Sequence, residues 1–429
     1  MQRTAANSRQ ADFRVELLVI FAILVSLGFP GNFATVFGSG LGTAMEYGAF
    51  AIEILAMLLS SGRSWLDIRP VKLDRKYWML YLFVAFIFVE SMFVTKDRKD
   101  LSISCARLAV TLMFAIWLQE RFEFERVLEL FAIAQTIFIL ASFAFMVLYP
   151  GMAFENSSTF VHAFRGLYPA KNTNAAELVF GVLVIMLLIR IKFKKLEPYS
   201  FWLIVLVGHL LLLALCQATG PVLSMMIALL PLFLPKRVRL PLGWLYIGGS
   251  VLFLFVALTI IPRFQWFFDA IGKDATLTGR IPLWNQIVNV MTENKTFTGF
   301  GYGMFWRDSR AVALIRRGFH NESSFAQAST GSHNTLLELW LNIGLLGIGV
   351  FFIALLYSLR NLREVPENSY IFTSMIMISL LVNGLTERLL SGNYDFRMLT
   401  LFLVLALCCN RERAKPEMIS GKVTTGGGP

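Results

Sequence analysis

Arg280 and His333 are the two side chains in this sequence whose types and placement best suit chemistry. Arg280 lies near the start, and His333 at the exit, of a seventy-residue hydrophilic segment, 263–332. An arginine stays charged and offers a planar fork of donors, which makes Arg280 and Arg165 the candidates for gripping a pyrophosphate group. The alternative for each is an arginine that meets a lipid headgroup or a local carboxylate. A neutral imidazole at His333 can take a proton from a hydroxyl, help that is typically worth about 10²–10⁴ in rate. The alternative there is a partly exposed histidine beside a helix cap. Thr335 and Glu338 stand at capping-box spacing, which gives that glutamate a local structural explanation. Glu387-Arg388 is either a local ion pair or part of the lining of the same site. Asn334, Glu387 and Lys171 complete the set of residues expected around it.

These side chains must be positioned by apolar elements, because the chain offers little else. It has 429 residues, is 56% hydrophobic, only 16% charged, and holds 39 Phe. A soluble domain carries about 25% charge, so the composition indicates an all-α polytopic membrane protein. A helix needs about 20 apolar residues to cross a hydrocarbon core. Twelve stretches qualify: 14–30, 45–61, 77–95, 101–119, 127–149, 174–191, 201–217, 219–235, 241–262, 333–358, 368–386 and 396–410. No cleavable signal peptide is expected, since Arg3, Arg9 and Arg14 precede a first span without a small-residue cleavage site.

The formal charge of +11 is a matter of topology, and nucleic acid is not expected as a partner. Basic residues crowd one set of alternate loops, as in Arg63, Arg69, Lys72, Arg75 and Lys76 or in Arg190, Lys192, Lys194 and Lys195. The other set holds fewer, among them Lys96, Arg98, Lys99, Arg165 and Lys171. The positive-inside rule then puts both termini in the cytoplasm and 263–332 outside. Spans one to nine fill 1–262, with an outside loop at 150–173; spans ten to twelve fill 333–411, and 412–429 is a cytoplasmic tail.

Cys105, Cys216, Cys408 and Cys409 all fall in expected spans, and none forms a CxxC pair or stands near histidine at metal spacing, so neither a disulfide framework nor a metal site is expected. Nothing calls for a cofactor. Arg107, Glu53 and Glu90 are costly inside a membrane, about 2.5–3.5 kcal/mol each on insertion scales; pairing across helices, for assembly more than for function, is the expectation. His209 falls mid-span and reads as a packing residue, whereas His162 and His320 are loop residues with no partner at useful spacing. Within the large loop, residues 280–293 have apolar positions at helical spacing, with Pro282 in the first turn. Such a helix is expected to be interfacial, with Trp284 at headgroup depth and its N-terminus, with Arg280, presented to an anion. Gly299-Phe-Gly-Tyr-Gly303 reads as a flexible turn and not as a nucleotide fingerprint, because no strand-turn-helix context surrounds it.

The same residues carry a resemblance. LTGRIPLW (277–284) resembles the Thr-Gly-Arg-x-x-x-Trp motif of the O-antigen polymerase and ligase superfamily, and Gly299-Phe-Gly-Tyr-Gly303 with Phe305-Trp306 is similar to its glycine-rich turn. His333-Asn334 followed by Gly344 fits the family's histidine-asparagine element. Phe164-Arg165-Gly166-Leu167 with Asn172, and Leu385-Thr386-Glu387, resemble two further elements, all five in family order. The chain departs at Ala218-Thr219-Gly220-Pro221, where members often carry Ser-Arg or Ser-Lys.

The resemblance implies a GT-C-like bundle of about twelve helices with one large periplasmic loop, and a metal-independent glycosyltransferase of the bacterial inner membrane. Its donor would be a polyprenyl-pyrophosphate-linked oligosaccharide, here most like that of the exopolysaccharide polymerases of Gram-negative bacteria. By the same resemblance Arg280 and Arg165 hold the pyrophosphate, and His333 positions or deprotonates the acceptor hydroxyl. A chain-length regulator and export machinery are the partner proteins it brings. A ligase acting on lipid A-core, a flippase for lipid-linked sugar, and an assembly partner of an export complex are the competing readings. The flippase would depend on Arg107, Glu53 and Glu90 instead of His333; the assembly partner would tolerate loss of Arg280, Arg165 and His333 together.

Overall fold

The protein is described here by a computed structural model covering residues 2–27, 39–59, 73–155, 162–168, 170–234, 238–264, 266, 276–277, 279–318, 329–388 and 396–410. His320, Thr278, the tail after Asn410 and the far ends of the first two expected spans lie outside the described residues.

Helices dominate. In chain order they are α1 (Gln2–Ser26), α2 (Ser39–Leu59), α3 (Trp78–Val94), α4 (Arg98–Arg121), α5 (Phe124–Leu148), α6 (Lys171–Lys194), α7 (Ser200–Leu215), α8 (Thr219–Leu229) and α9 (Leu242–Phe255). Then come α10 (Arg280–Val290), α11 (Ser309–Arg317), α12 (Thr335–Leu359), α13 (Glu367–Gly384) and α14 (Phe396–Cys409). Five helical runs are long and apolar enough to cross a membrane by length and composition: Arg75–Val94, Arg98–Arg121, Phe124–Leu148, Leu242–Phe264 and Thr335–Leu359. Ser200–Leu215, Thr219–Leu232 and Phe396–Cys409 are shorter apolar helices. Large side chains such as Phe93, Val147, Ile204 and Trp244 face outward, the exposed apolar surface expected of a chain surrounded by lipid. One two-residue antiparallel pair, Phe154–Glu155 with Ala163–Phe164, closes the loop between α5 and α6.

Two apolar cores organise the bundle. The larger one joins α1, α3–α6, α12, α13 and α14 around side chains such as Phe83, Phe131, Phe351, Phe372 and Phe396. The second is local to the segment after α9: Ile281, Leu283, Trp284 and Ile287 of α10 pack with Phe305, with Val312 and Ile315 of α11, and with Leu337 and Leu341 of α12. This corrects the expectation for Trp284. Its ring is completely enclosed by protein, and its indole Nε1 donates to the Ser332 carbonyl at 2.8 Å. Helical spacing had identified the apolar face of α10 but not what covers it.

α12 is one continuous apolar stretch in sequence and two helices in space. Gly344 adopts φ 60°, ψ −173° inside it, a conformation essentially reserved for glycine. The break opens two successive helical hydrogen bonds, and residues 296–301 re-pair all four freed groups. Phe300 N donates to Leu341 O (2.8 Å) and Gly301 N to Asn342 O (3.0 Å), while Leu345 N donates to Thr296 O (3.0 Å) and Leu346 N to Phe297 O (3.1 Å). Gly303 N adds a bond to Asn342 Oδ1 at 2.9 Å. The glycine-rich turn is therefore a fitted insert, not a loose one. A Cβ on Gly299 would stand 2.7 Å from Gly344 N, and one on Gly344 would stand 2.1 Å from Phe297 O. The first half of α12 faces both cores, the second through Leu337 and Leu341 and the main one through Leu339 and Ile343, whereas the second half packs into the main one through Phe351 and Leu355.

Among the intramembrane polar residues, Arg107 of α4 lies over the rings of Tyr47 and Phe50 of α2, at 5.9 and 5.8 Å from their centroids. His209 is fully enclosed, with Nδ1 2.9 Å from Val205 O and Nε2 3.4 Å from Gln135 Oε1. His162 is an exposed loop residue whose ring meets Phe154 edge-on.

Candidate active site

Four segments far apart in sequence converge at one end of the bundle, and Glu387 is where they meet. It follows α13, its backbone N donating to Asn383 O at 2.8 Å. Its Oε1 accepts from Arg280 Nη2 at 3.2 Å and from Asn172 Nδ2 at 3.4 Å. Its Oε2 lies 3.5 Å from His333 Nδ1. Its backbone carbonyl accepts from Thr335 Oγ1 at 3.1 Å. The reading of Glu387-Arg388 as a local ion pair is thereby replaced: Arg388 Nη1 donates instead to Thr330 O, at 2.6 Å.

The cluster is shielded but not sealed, with side-chain exposures of 15% for Glu387, 16% for Arg280 and 28% for His333. Burial pushes the Glu387 carboxyl upward, but its contact with His333 and the charges of Arg280 and Arg397 more than offset this, and its pKa lies below the usual carboxylate value. The carboxylate is thus held as an anion between a guanidinium and an imidazole.

Arg280 is the first residue of α10, after Gly279 at φ 80°. The helix does not present a free N-terminus to an anion, as the sequence had suggested. Ile281 N donates to Thr276 O at 3.0 Å and Arg280 N to Leu277 O at 3.4 Å, and Pro282 has no N–H to offer. The anion-binding capacity at this point is the guanidinium itself.

His333 sits just before α12 at φ 49°, a left-handed conformation that is strained for a side chain with a Cβ. Asn334 is the N-cap of α12: its Oδ1 accepts from Leu337 N at 3.0 Å, and its Nδ2 donates to Leu385 O at 3.0 Å. It anchors α12 to the Glu387 turn and has a structural role. Glu338 is not part of a capping box. It is fully buried and accepts from Ser332 N and from Trp306 Nε1, each at 3.1 Å. Sequence reasoning missed Ser332 and Trp306 as its partners, and no spacing rule connects them.

Arg165 is tied to its own loop. Its Nε donates to Met152 O at 2.8 Å and its backbone N to Ala153 O at 2.9 Å. No direct contact joins it to Glu387 among the described residues. Gly166, at φ 56°, turns the chain where a Cβ would stand 3.0 Å from Asn174 Nδ2. Lys171 opens α6 with its ammonium on Gln217 O at 3.2 Å, one residue from the Asn172 that reaches Glu387. Burial lowers its pKa, and the nearby charge of Glu155 opposes that shift. Its carbonyl partner leads into α8, which begins at Thr219 in the segment where the chain departs from the family pattern. Among the described residues no group of three or more His, Cys, Asp or Glu side chains is placed to hold a metal ion.

No curated protein matches the chain. Residues 212–352 match the family model described as O-Antigen ligase. That segment contains Arg280, the glycine-rich turn, His333 and the break at Gly344; Glu387 and Asn172 reach the site from outside it, and Arg165 also lies outside it. The match spans about a third of the chain, and it supports for this multi-pass helical protein a glycosyl-transfer role of the O-antigen polymerase/ligase kind in glycan assembly.

Proposed function

We propose that the protein is an inner-membrane polysaccharide polymerase that moves a growing glycan from polyprenyl pyrophosphate onto a lipid-linked oligosaccharide repeat unit at the periplasmic face. The observation that carries this reading is the Glu387 carboxylate, bonded to Arg280 at 3.2 Å and lying 3.5 Å from His333. One cationic group and one titratable base are thereby fixed side by side. In the transfer, a bond forms between the acceptor hydroxyl oxygen and the anomeric carbon of the donor. The bond from that carbon to the pyrophosphate oxygen breaks, and its electron pair leaves with the pyrophosphate.

Arg280 stabilises the charge that develops on the leaving group, an electrostatic role typically worth about 3–4 kcal/mol in the transition state. Arg165, its Nε anchored on Met152 O, turns its remaining amino groups to the second phosphate. His333 takes the hydroxyl proton. With Nδ1 facing Glu387, the receiving nitrogen is Nε2, and Glu387 steadies the imidazolium that results. The scheme draws its positive charge from arginine and needs no metal or nucleotide.

Transfer of a finished glycan to lipid A-core is the second reading, favoured by the description of the matched family. It uses the same donor chemistry at the same residues. The test is purified protein in liposomes with a pyrophosphate-linked repeat unit, without metal or nucleotide, and products resolved by length. A ladder of repeat multiples that disappears in His333→Ala and Arg280→Ala supports the polymerase. Absence of a ladder from folded protein that binds the lipid refutes it. In cells lacking the protein, a polymerase leaves single repeats, whereas a ligase leaves long chains on the polyprenyl lipid.

A further inference from the structure

The backbone of His333 is held in a left-handed conformation, at φ 49°, that a non-glycine residue keeps only when its surroundings over-determine it. The residue before it, Ser332, is held through the peptides on both its sides. Ser332 N donates to Glu338 Oε2 at 3.1 Å, and Ser332 O accepts from Trp284 Nε1 at 2.8 Å. Ser332 Oγ bridges across His333 to Asn334 O at 2.8 Å. Glu338 is in turn fixed by Trp306, whose Nε1 lies 3.1 Å from each carboxylate oxygen. All of Glu338, Trp284 and Ser332 are completely buried.

The choice of a carboxylate at this position asks for an explanation. None of the ion pairs among the described residues includes Glu338, and burying a carboxylate without a cation is costly. A helix cap alone would be served by a neutral acceptor. What the site uses is two acceptor oxygens: one for Ser332 with a share of Trp306, the other for the rest of Trp306. A glutamine offers only one acceptor oxygen and would turn a donor toward one of those N–H groups.

We propose that Glu338 is a positioning residue for His333: together with Trp284 it clamps the backbone of Ser332 on both sides and so holds the imidazole against Glu387. The proposal rests on the reading of His333 as the proton acceptor, and its test has a readout that is independent of turnover. Folded protein in detergent is treated with diethyl pyrocarbonate, and modification is followed residue by residue by mass spectrometry, with the exposed His162 as internal reference. In Glu338→Gln, His333 is modified about tenfold faster than in the native protein, as a released imidazole leaves Glu387, while the rate at His162 is unchanged.

In the transfer assay the same variant loses between about tenfold and a hundredfold in kcat, with the KM for the lipid-linked donor unchanged because Arg280 is intact. Trp284→Phe, which keeps the ring and removes only the donor to Ser332 O, moves both readouts in the same direction and serves if Glu338→Gln does not fold. An unchanged rate at His333 in a folded variant overturns the proposal. A faster rate at His333, in a protein whose native form shows no transfer, upholds the clamp and overturns the polymerase reading instead.

Discussion

The guanidinium of Arg280 meets the carboxylate of Glu387 at 3.2 Å across 107 residues of sequence, and the same carboxylate faces His333. Because the folded pKa of Glu387 is depressed, the cluster contributes stability that is fully present above the unfolded carboxylate value, about 4.3. That contribution is lost as the pH falls through the depressed folded value. Thermal unfolding in detergent between neutral pH and pH 3 is expected to show a steeper acid loss for the native protein than for Glu387→Gln. Parallel curves for the two proteins would contradict the ion cluster.

Substitutions at the three basic site residues are expected to separate by role. His333→Ala lowers kcat by about 10²–10⁴. Arg280→Ala lowers it by about 10²–10³, and Arg280→Lys does not restore it, since a point charge lacks the planar fork that meets both Glu387 and a phosphate. Arg165→Ala raises the donor KM more than it lowers kcat, because the side chain is anchored to its own loop. Steady-state kinetics on matched preparations decide among these patterns.

Two glycines of the same helix are expected to respond in opposite directions. Gly344→Ala places a Cβ 2.1 Å from Phe297 O, at a backbone conformation closed to alanine, and costs about 2–6 kcal/mol. Gly349→Ala meets nothing within 4 Å and stabilises by about 0.5–1 kcal/mol. Thermal melting of both variants by intrinsic fluorescence measures the contrast; similar shifts would show that α12 is not broken at Gly344.

Lys171 tests how far the site extends. Lys171→Met removes the ammonium from Gln217 O while keeping the apolar stem. If the lysine attracts the donor's phosphates, KM for the donor rises about fivefold to tenfold, in line with one lost charge contact of about 1–1.4 kcal/mol. A variant with native KM and only a lowered melting temperature would leave Lys171 a structural link between α6 and α8.

Residue type and placement beside a hydrophilic segment singled out Arg280 and His333 in the sequence, and the structure brings both to one carboxylate. Glu387 was among the residues expected around them, but its position as the partner of both was not legible. Glu387 lies 54 residues beyond His333 and next to Arg388, so the sequence left a local pair and a place in the site equally open. Glu338 was misread for a similar reason: its spacing from Thr335 satisfies a local rule, whereas its actual partners, Ser332 and Trp306, are brought by packing. The apolar period of α10 identified a buried face correctly, but periodicity carries no record of whether lipid or protein covers it, and Trp284 went into a protein core. The break at Gly344 is silent in hydropathy, since Ile343 before it and Leu345 and Leu346 after it continue the apolar run.

Order of synthesis gives that break one more meaning. An ordinary apolar helix can leave the translocon alone, because every one of its interior amides already has a partner within the helix. α12 cannot do so in its final shape: four backbone groups around Gly344 are satisfied only by residues 296–301, and exposing each to hydrocarbon would cost several kcal/mol. Those residues emerge from the ribosome first. The preceding segment is therefore an intramolecular template for the broken form of α12, which is complete only where the two meet.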